Sequence, residues 1–201
     1  LRDLELHEGL HAYTHGAMKE SLRHIVGVQF RNCATVGGSI WGRFGFSDVL
    51  TMFLALDTEV ELFKGGRVCL WDFVKMPKDI LVHIIVKKTP IKTAYLSQRN
   101  TKTDFPVLAC CVSMSEDGMK AVYGARPSKA FLLEDEENIL KDVQTLSEEE
   151  KKEAYEKFAD YAARKVPTSG NMRGSAKYRT LLVKVLTRRA LEAVGGMSDE
   201  N

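Results

Sequence analysis

From residue 17 to residue 30 the apolar side chains Met18, Leu22, Ile25, Val26 and Phe30 return mostly every three or four positions. That is the period of one face of an α-helix, and it predicts a single amphipathic helix over this stretch. A shorter apolar helix is expected over residues 49–56, with Ser47 or Asp48 as its N-cap. The period then falls to two. Residues 58–63 alternate polar and apolar, Gly65-Gly66 turns, and residues 67–70 return, which predicts a β-hairpin. A loop from Trp71 to about Pro77 leads to an apolar β-rich run over residues 80–86, expected as a buried strand. Three more strands are expected at residues 93–98, 105–114 and 119–125, the last two joined by the turn Glu116-Asp117-Gly118.

The remainder reads as helical. Ser147 followed by three glutamates is an N-cap with acids in the first turn, and Tyr155, Phe158, Ala159 and Ala162 form the apolar face behind it. After a loop through Pro167, Ser169 and Gly170, a last helix is expected over residues 175–194. Its predicted buried stripe is Tyr178, Leu181, Leu182, Val185, Leu186 and Leu191. The acidic runs 134–137 and 148–150 read as solvated faces, and the tail from Gly195 onward is expected to be mobile.

Composition narrows the classes. At 201 residues and 44% hydrophobic, the chain can bury a core in one or two domains. The composition shifts near Pro90, which predicts domains over residues 1–89 and 90–201. A net charge of +2 is too mild for a nucleic-acid partner. No apolar run nears the roughly 18 to 20 residues of a membrane helix, and the opening residues are not a signal peptide, so a soluble cytoplasmic protein with no membrane span is expected. Cys33, Cys69, Cys110 and Cys111 include no Cys-x-x-Cys pair, and all four are expected as buried free thiols. His7, His11 and His15 share a spacing of four, but with no carboxylate placed beside them they read as solvated or packing residues.

The chemistry concentrates in residues 30–48, Phe-Arg-Asn-Cys-Ala-Thr-Val-Gly-Gly-Ser-Ile-Trp-Gly-Arg-Phe-Gly-Phe-Ser-Asp. Gly37 and Gly38 can take positive φ and bring backbone N–H groups up to an anion. Thr35 and Ser39 add donors suited to phosphate oxygens, and Asp48 could accept from a ribose hydroxyl. By itself Gly-Gly is a common turn. The whole stretch, however, resembles the second flavin-binding segment of the FAD-binding subunit of molybdenum hydroxylases such as xanthine dehydrogenase, carbon monoxide dehydrogenase and nicotinate dehydrogenase. Arg31, Asn32, Ala34, Thr35, Gly37, Gly38, Ile40, Ser47 and Asp48 fall on that pattern, while Ser39 stands where the family usually has Asn.

The resemblance implies an α+β fold. It would comprise the C-terminal part of a PCMH-type FAD-binding domain, then a small domain with a three-stranded antiparallel sheet and packed helices. Leu1 would fall in the middle of the flavin domain, without the first half and its other glycine-rich loop. The implied cofactor is FAD, bound by Ala34, Thr35, Gly37, Gly38, Ser39, Ser47 and Asp48, with Thr35, Gly37, Gly38 and Ser39 on the diphosphate side and Asp48 on the ribitol or ribose side. Ile80 and Leu81, behind Asp79, would lie against the ring system. No catalytic residue and no metal ligand is expected here. A lysine that the family often places near the flavin after an aromatic is missing, since Leu96, Ser97 and Gln98 follow Tyr95. Tyr178-Arg179 matches a signature that is expected to be structural.

The implied function is that of an oxidoreductase component, xanthine dehydrogenase-like. A molybdopterin-binding large subunit and a small subunit with [2Fe-2S] clusters would feed electrons to FAD here, and NAD or another acceptor would receive them. Two alternatives stand beside it, a non-redox scaffold or docking module that does not bind FAD, and a small nucleotide-binding protein using the glycine pair alone. The chain has no Gly-x-Ser-x-Gly elbow, Walker loop or His-Glu-x-x-His helix to suggest otherwise.

Overall fold

The computed structural model describes residues 1–116 and 118–196, so Asp117 of the expected turn and the tail beyond Gly196 lie outside the described residues. The hairpin forms as its alternation requires. Strand β1 (Thr58–Leu62) pairs antiparallel with β2 (Gly66–Cys69), Val60 opposite Val68. On its other edge β1 takes β3 (Leu81–Val86), Val60 opposite Ile84, giving the order β2-β1-β3. Thr58, Val60 and Leu62 are buried while Glu59 and Glu61 are not, so this sheet is covered on one face. The edge strand β3 is therefore not the buried strand its composition predicts, and no residue in it is fully buried.

Five short helices, α1 (Arg2–Glu5), α2 (Glu8–Tyr13), α3 (Ala17–Arg23), α4 (Val28–Cys33) and α5 (Val36–Trp41), precede α6 (Asp48–Ala55). The single helix expected over residues 17–30 is broken into α3 and α4. Gly27 lies between them at φ +53, outside the helical range, and only Gly adopts it freely. Met18 and Leu22 are buried on α3, whereas Val26 and Phe30 emerge to the surface. Arg31 on α4 folds back onto α1, where Nε and Nη2 donate to the Glu5 carboxylate at 2.8 and 3.2 Å and Nη1 to the Ile25 carbonyl. A further one-turn helix, α7 (Leu70–Phe73), occupies part of the expected loop, burying Leu70 and Phe73.

The second sheet is built from β4 (Lys92–Gln98), β5 (Leu108–Ser115), β6 (Gly118–Gly124) and β7 (Phe131–Glu134), all antiparallel in the order β4-β5-β6-β7. The three expected strands form. β7 is a fourth, too short to announce itself ahead of the acidic run. Strand β5 is buried on both faces. Cys110 and Val112 face one core, with α8 (Glu148–Lys165) and α9 (Ala176–Gly195), while Ala109 and Cys111 face the other, with α6. The adjacent cysteines thus point to opposite sides of the sheet. Cys33 and Cys69 are exposed, so only two of the four thiols are buried as expected.

Ser147 caps α8 as expected, and Glu150, expected only as a first-turn acid, reaches back to complete a capping box. Helix α9 sits turned from its expected stripe: Tyr178 and Leu181 are exposed, and Val183, Thr187, Ala190 and Val194 join Leu182, Leu186 and Leu191 in the interior. The reason is Arg179, fully buried. Its guanidinium donates to the carbonyls of Val107, Ser169 and Gly174 and to Asn171 Oδ1, at 2.5 to 2.9 Å. Among the described residues no helix is long and apolar enough to cross a membrane.

Two predictions follow from these buried cations. Arg179→Ala removes four hydrogen bonds and leaves the Val107 and Ser169 carbonyls without the donor they had, and should lower stability by about 3 kcal/mol or more, read from the urea midpoint. Burial opposes ionisation of Glu5, but the hydrogen bonds and charges of Arg2 and Arg31 outweigh it and hold the carboxyl below its ordinary 4.5. A depressed folded-state value stabilises above the unfolded one and is lost as pH falls through it. Glu5→Gln should therefore flatten the acid limb of the stability curve below about pH 5, and an unchanged limb would contradict the pairing.

Candidate cofactor cleft

After α4 the chain extends through Ala34, and Thr35 caps α5 by accepting the Gly38 N–H at 2.9 Å. The Ser39 hydroxyl donates back to the Thr35 carbonyl at 3.0 Å. Gly37 and Gly38 are therefore not a positive-φ bend; they lie in the first turn of a helix, neither in the left-handed region. Their lack of side chains matters differently. A Cβ on Gly38 would stand 2.9 Å from Thr35 Oγ1 and crowd the cap, and Gly37 opens onto empty space. The first-turn amides of Val36 and Gly37 have no intrahelical partner.

The loop 42–47 leads to α6 and is held from behind. A Cβ on Gly45 would stand 1.9 Å from the Ser128 carbonyl oxygen, and the Gly45 carbonyl accepts from Ala125 N–H at 2.7 Å. Arg43 donates to the Met76 carbonyl at 2.5 Å and lies 4.0 Å over the Phe73 ring. The loop consequently projects Phe44 and Phe46 outward, their rings stacked at 5.2 Å and 13°. Phe105, from the loop after β4, meets Phe46 at 4.5 Å and 58°.

Ser47 is the N-cap of α6, accepting from Leu50 N–H at 3.1 Å, and Asp48 is its first residue. The Asp48 carboxylate is buried. One oxygen accepts from the Tyr95 hydroxyl and from Arg99 Nη2, each at 2.5 Å. Burial, with the Asp48 charge beside it, pushes the Tyr95 hydroxyl well above its ordinary value, so it remains a donor. Arg99 Nη1 continues the chain of bonds to the Asp104 carbonyl at 2.6 Å, and Arg173 grips the Asp104 carboxylate at 2.9 to 3.1 Å. The Arg173 bond holds the Asp104 carboxyl below the usual carboxylate range.

These elements enclose a cleft of about 810 Å³. Of the residues expected to bind a cofactor, it gathers Ala34, Thr35, Gly38, Ser39, Ser47 and Asp48. Gly37, Ile80 and Leu81 are not in its lining. Ile80 is 64% exposed, beside Asp79, whose carboxylate accepts from the amides of Lys64, Gly65 and Ile80. Trp41 Nε1 donates to the Asp79 carbonyl at 2.8 Å and ties that segment to α5. Leu81 is half-buried against the core under the smaller sheet. The sequence reading missed Phe44, Phe46 and Phe105 on the cleft wall, and Tyr95 and Arg99 behind Asp48. Phe-Gly-Phe inside a glycine-rich loop was a legible sign of exposed rings; no local pattern connects Asp48 to Arg99, 51 positions on. His7 caps α2 and the His15 ring lies 3.2 Å from the Ile91 carbonyl, and among the described residues no group of three His, Cys, Asp or Glu could hold a metal ion.

Residues 3–87 match the FAD binding domain in molybdopterin dehydrogenase, and residues 93–194 match the CO dehydrogenase flavoprotein C-terminal domain. The fold and these matches define the class, an FAD-binding flavoprotein domain followed by the C-terminal domain that accompanies it. More closely, the chain belongs to the family of FAD-binding middle subunits of molybdenum hydroxylases. It is 31% identical over 123 residues to the uncharacterized protein YgfM of Escherichia coli K12, taking in 60% of this chain and 48% of YgfM. The chain thus spans about half the length of the curated relatives it matches. Carbon monoxide dehydrogenase of Hydrogenophaga pseudoflava shares the fold with a TM-score of 0.76 at 20% identity, over 96% of this chain and 71% of that one. Quinoline 2-oxidoreductase of Pseudomonas putida 86 does so at 0.78 and 16%, over the same shares. Reconstituted CO dehydrogenase of Oligotropha carboxidovorans does so at 0.77 and 20%, over 98% and 73%.

The Asp48 cluster makes a quantitative prediction. Asp48→Ala strands a buried guanidinium and should cost about 3–5 kcal/mol. Adding Arg99→Ala should cost much less than the sum of the two single changes, as a double-mutant cycle on urea midpoints would record; strict additivity would contradict the coupling.

Proposed function

We propose that the chain binds FAD in this cleft and serves as the electron-transfer subunit of a molybdopterin-dependent hydroxylase or dehydrogenase. FAD, when bound, would accept electrons delivered from elsewhere and pass them on. The chain's own residues would bind and orient it. Thr35, Ser39 and the side-chain-free backbone at Gly37 and Gly38 suit the diphosphate, offering hydroxyls and uncapped amides with no Cβ to block approach. Ser47 and Asp48 would face the ribitol or ribose, with Ala34 lining the passage between. Ile80 and Leu81, outside the lining of the cleft, remain our candidates for contact with the ring system.

The observation that carries this reading is that Ala34, Thr35, Gly38, Ser39, Ser47 and Asp48 of the motif all line one cleft. The domain limits 1–89 and 90–201 are part of the proposal, as are a molybdopterin-binding large subunit, an iron–sulfur small subunit, and NAD or another acceptor in a xanthine dehydrogenase-like assembly. A cytoplasmic location is proposed with them. One feature favours the non-redox alternative: the Asp48 carboxylate already serves Tyr95 and Arg99, which leaves it less to offer a ligand.

Titration with FAD, followed by visible flavin absorbance after gel filtration, separates the two. The redox reading expects retained flavin, and Thr35→Val, which removes the cap and one donor, should weaken binding about tenfold. Colourless protein at saturating FAD would leave only the scaffold.

A further inference from the structure

We propose that Asp79 is a positioning residue for the flavin ring, an inference that rests on the FAD reading above and on Ile80 and Leu81 as the ring contacts. Its carboxylate ties the turn between β1 and β2 to the start of β3 and so fixes how Ile80 and Leu81 are presented. Oδ2 accepts from the Lys64 and Gly65 amides at 3.0 and 2.9 Å, and Oδ1 from the Ile80 amide at 2.7 Å. One side chain thus holds three backbone donors from two separate segments of the chain.

The strand pairing shows why such a tie is needed. His83 faces Glu61 on β1, but Leu81 faces Leu62, so the register slips and Val82 is left without a facing residue. An irregularity of this kind re-aims the residues beyond it, whose direction the ladder no longer sets. Other bonds set it instead. Besides the Asp79 contact to its amide, the Ile80 carbonyl accepts from Phe63 N–H at 2.9 Å. Both backbone polar groups of Ile80 are therefore bonded within the chain, while the side chain is 64% exposed. A single exposed isoleucine needs no explanation, but one on a pinned backbone is presented to a ligand with little left to order.

The same segment is referred to the glycine motif. The Asp79 carbonyl accepts from Nε1 of Trp41, the last residue of α5, and Lys78 Nζ lies 3.9 Å over the Trp41 ring. One helix therefore contains Gly37 and Gly38 and anchors the chain that leads into Ile80. Loss of the Asp79 carboxylate would move the ring contacts and leave Thr35 and Ser39 as they are. The bonds it makes to Lys64, Gly65 and Ile80 are all exposed, so water can take its place on the freed amides and the fold survives the change.

The test measures FAD and ADP binding to the whole chain by calorimetry, ADP being the half of the cofactor that lacks the ring. Asp79→Ala should weaken FAD about tenfold and leave ADP unchanged. Asp79→Asn, which keeps one acceptor, should fall between it and the wild type. In an Ile80→Ala background Asp79→Ala should cost much less FAD affinity, because it acts through Ile80. Asp135→Ala, which frees the Ile139 and Leu140 amides just after β7, should change neither affinity. If Asp79→Ala binds FAD as the wild type does, loses FAD and ADP alike, or costs as much in the Ile80→Ala background, Asp79 holds only the hairpin and the cofactor reading stands without it. An Asp135→Ala loss of FAD equal to that of Asp79→Ala would count the same way. If the wild type binds no FAD at all, both fall.

Discussion

Every residue of α6 is buried. A helix buried along its whole length can exist only where it is covered on all sides, and here β5 and β6 of the second sheet and the helices α3 and α5 pack against it, with Val60 and Leu62 of the first sheet in the same core. The N-terminus of that helix is therefore held from several sides. Ser47 and Asp48 stand at it, and the remainder of the cleft is arranged outward from there. Tyr95 and Arg99 bind Asp48 from the second sheet, which joins the glycine-bearing segment to strand β4 through one buried carboxylate.

A carboxylate so placed answers to two demands. Burial disfavours its charge, and two donors restore what solvent would have given. The same bonds hold the loop after β4 in position through Arg99, Asp104 and Arg173, so that Phe105 reaches the aromatic residues of the loop before α6. The cleft is thus shaped by polar bonds behind its walls and presents its apolar surface to the space within.

Much of this was legible in the sequence. The hairpin at β1 and β2, the N-cap at Ser147 and three of the four strands of the second sheet each have a local cause, an alternation or a cap, and local causes are what a pattern records. The glycine motif likewise located the cleft, though not its form: Thr35 turns out to cap a helix that encloses both glycines, because a threonine followed by an amide three residues on makes a cap as readily as Gly-Gly makes a bend. What stayed hidden has distant causes. Arg179 turns α9 by reaching carbonyls from Val107 to Gly174, and no periodicity within residues 175–194 reports partners 72 positions away. The apolar spacing would have continued one helix, but α3 stops at Arg23 and α4 starts only after Gly27, whose φ of +53 no helix accommodates. Phe44 and Phe46 went unassigned because exposed rings in a loop satisfy no rule of burial.

The account stands on the claim that this cleft, fixed by α6 and by the bonds to Asp48, receives a flavin dinucleotide. A crystal structure of the protein grown with FAD tests it most directly. The account requires electron density between Thr35 and Ser39 on one side and Phe46 on the other, with Asp48 still bonded to Tyr95 and Arg99. Density for FAD elsewhere on the surface, with the cleft holding only solvent, would contradict it.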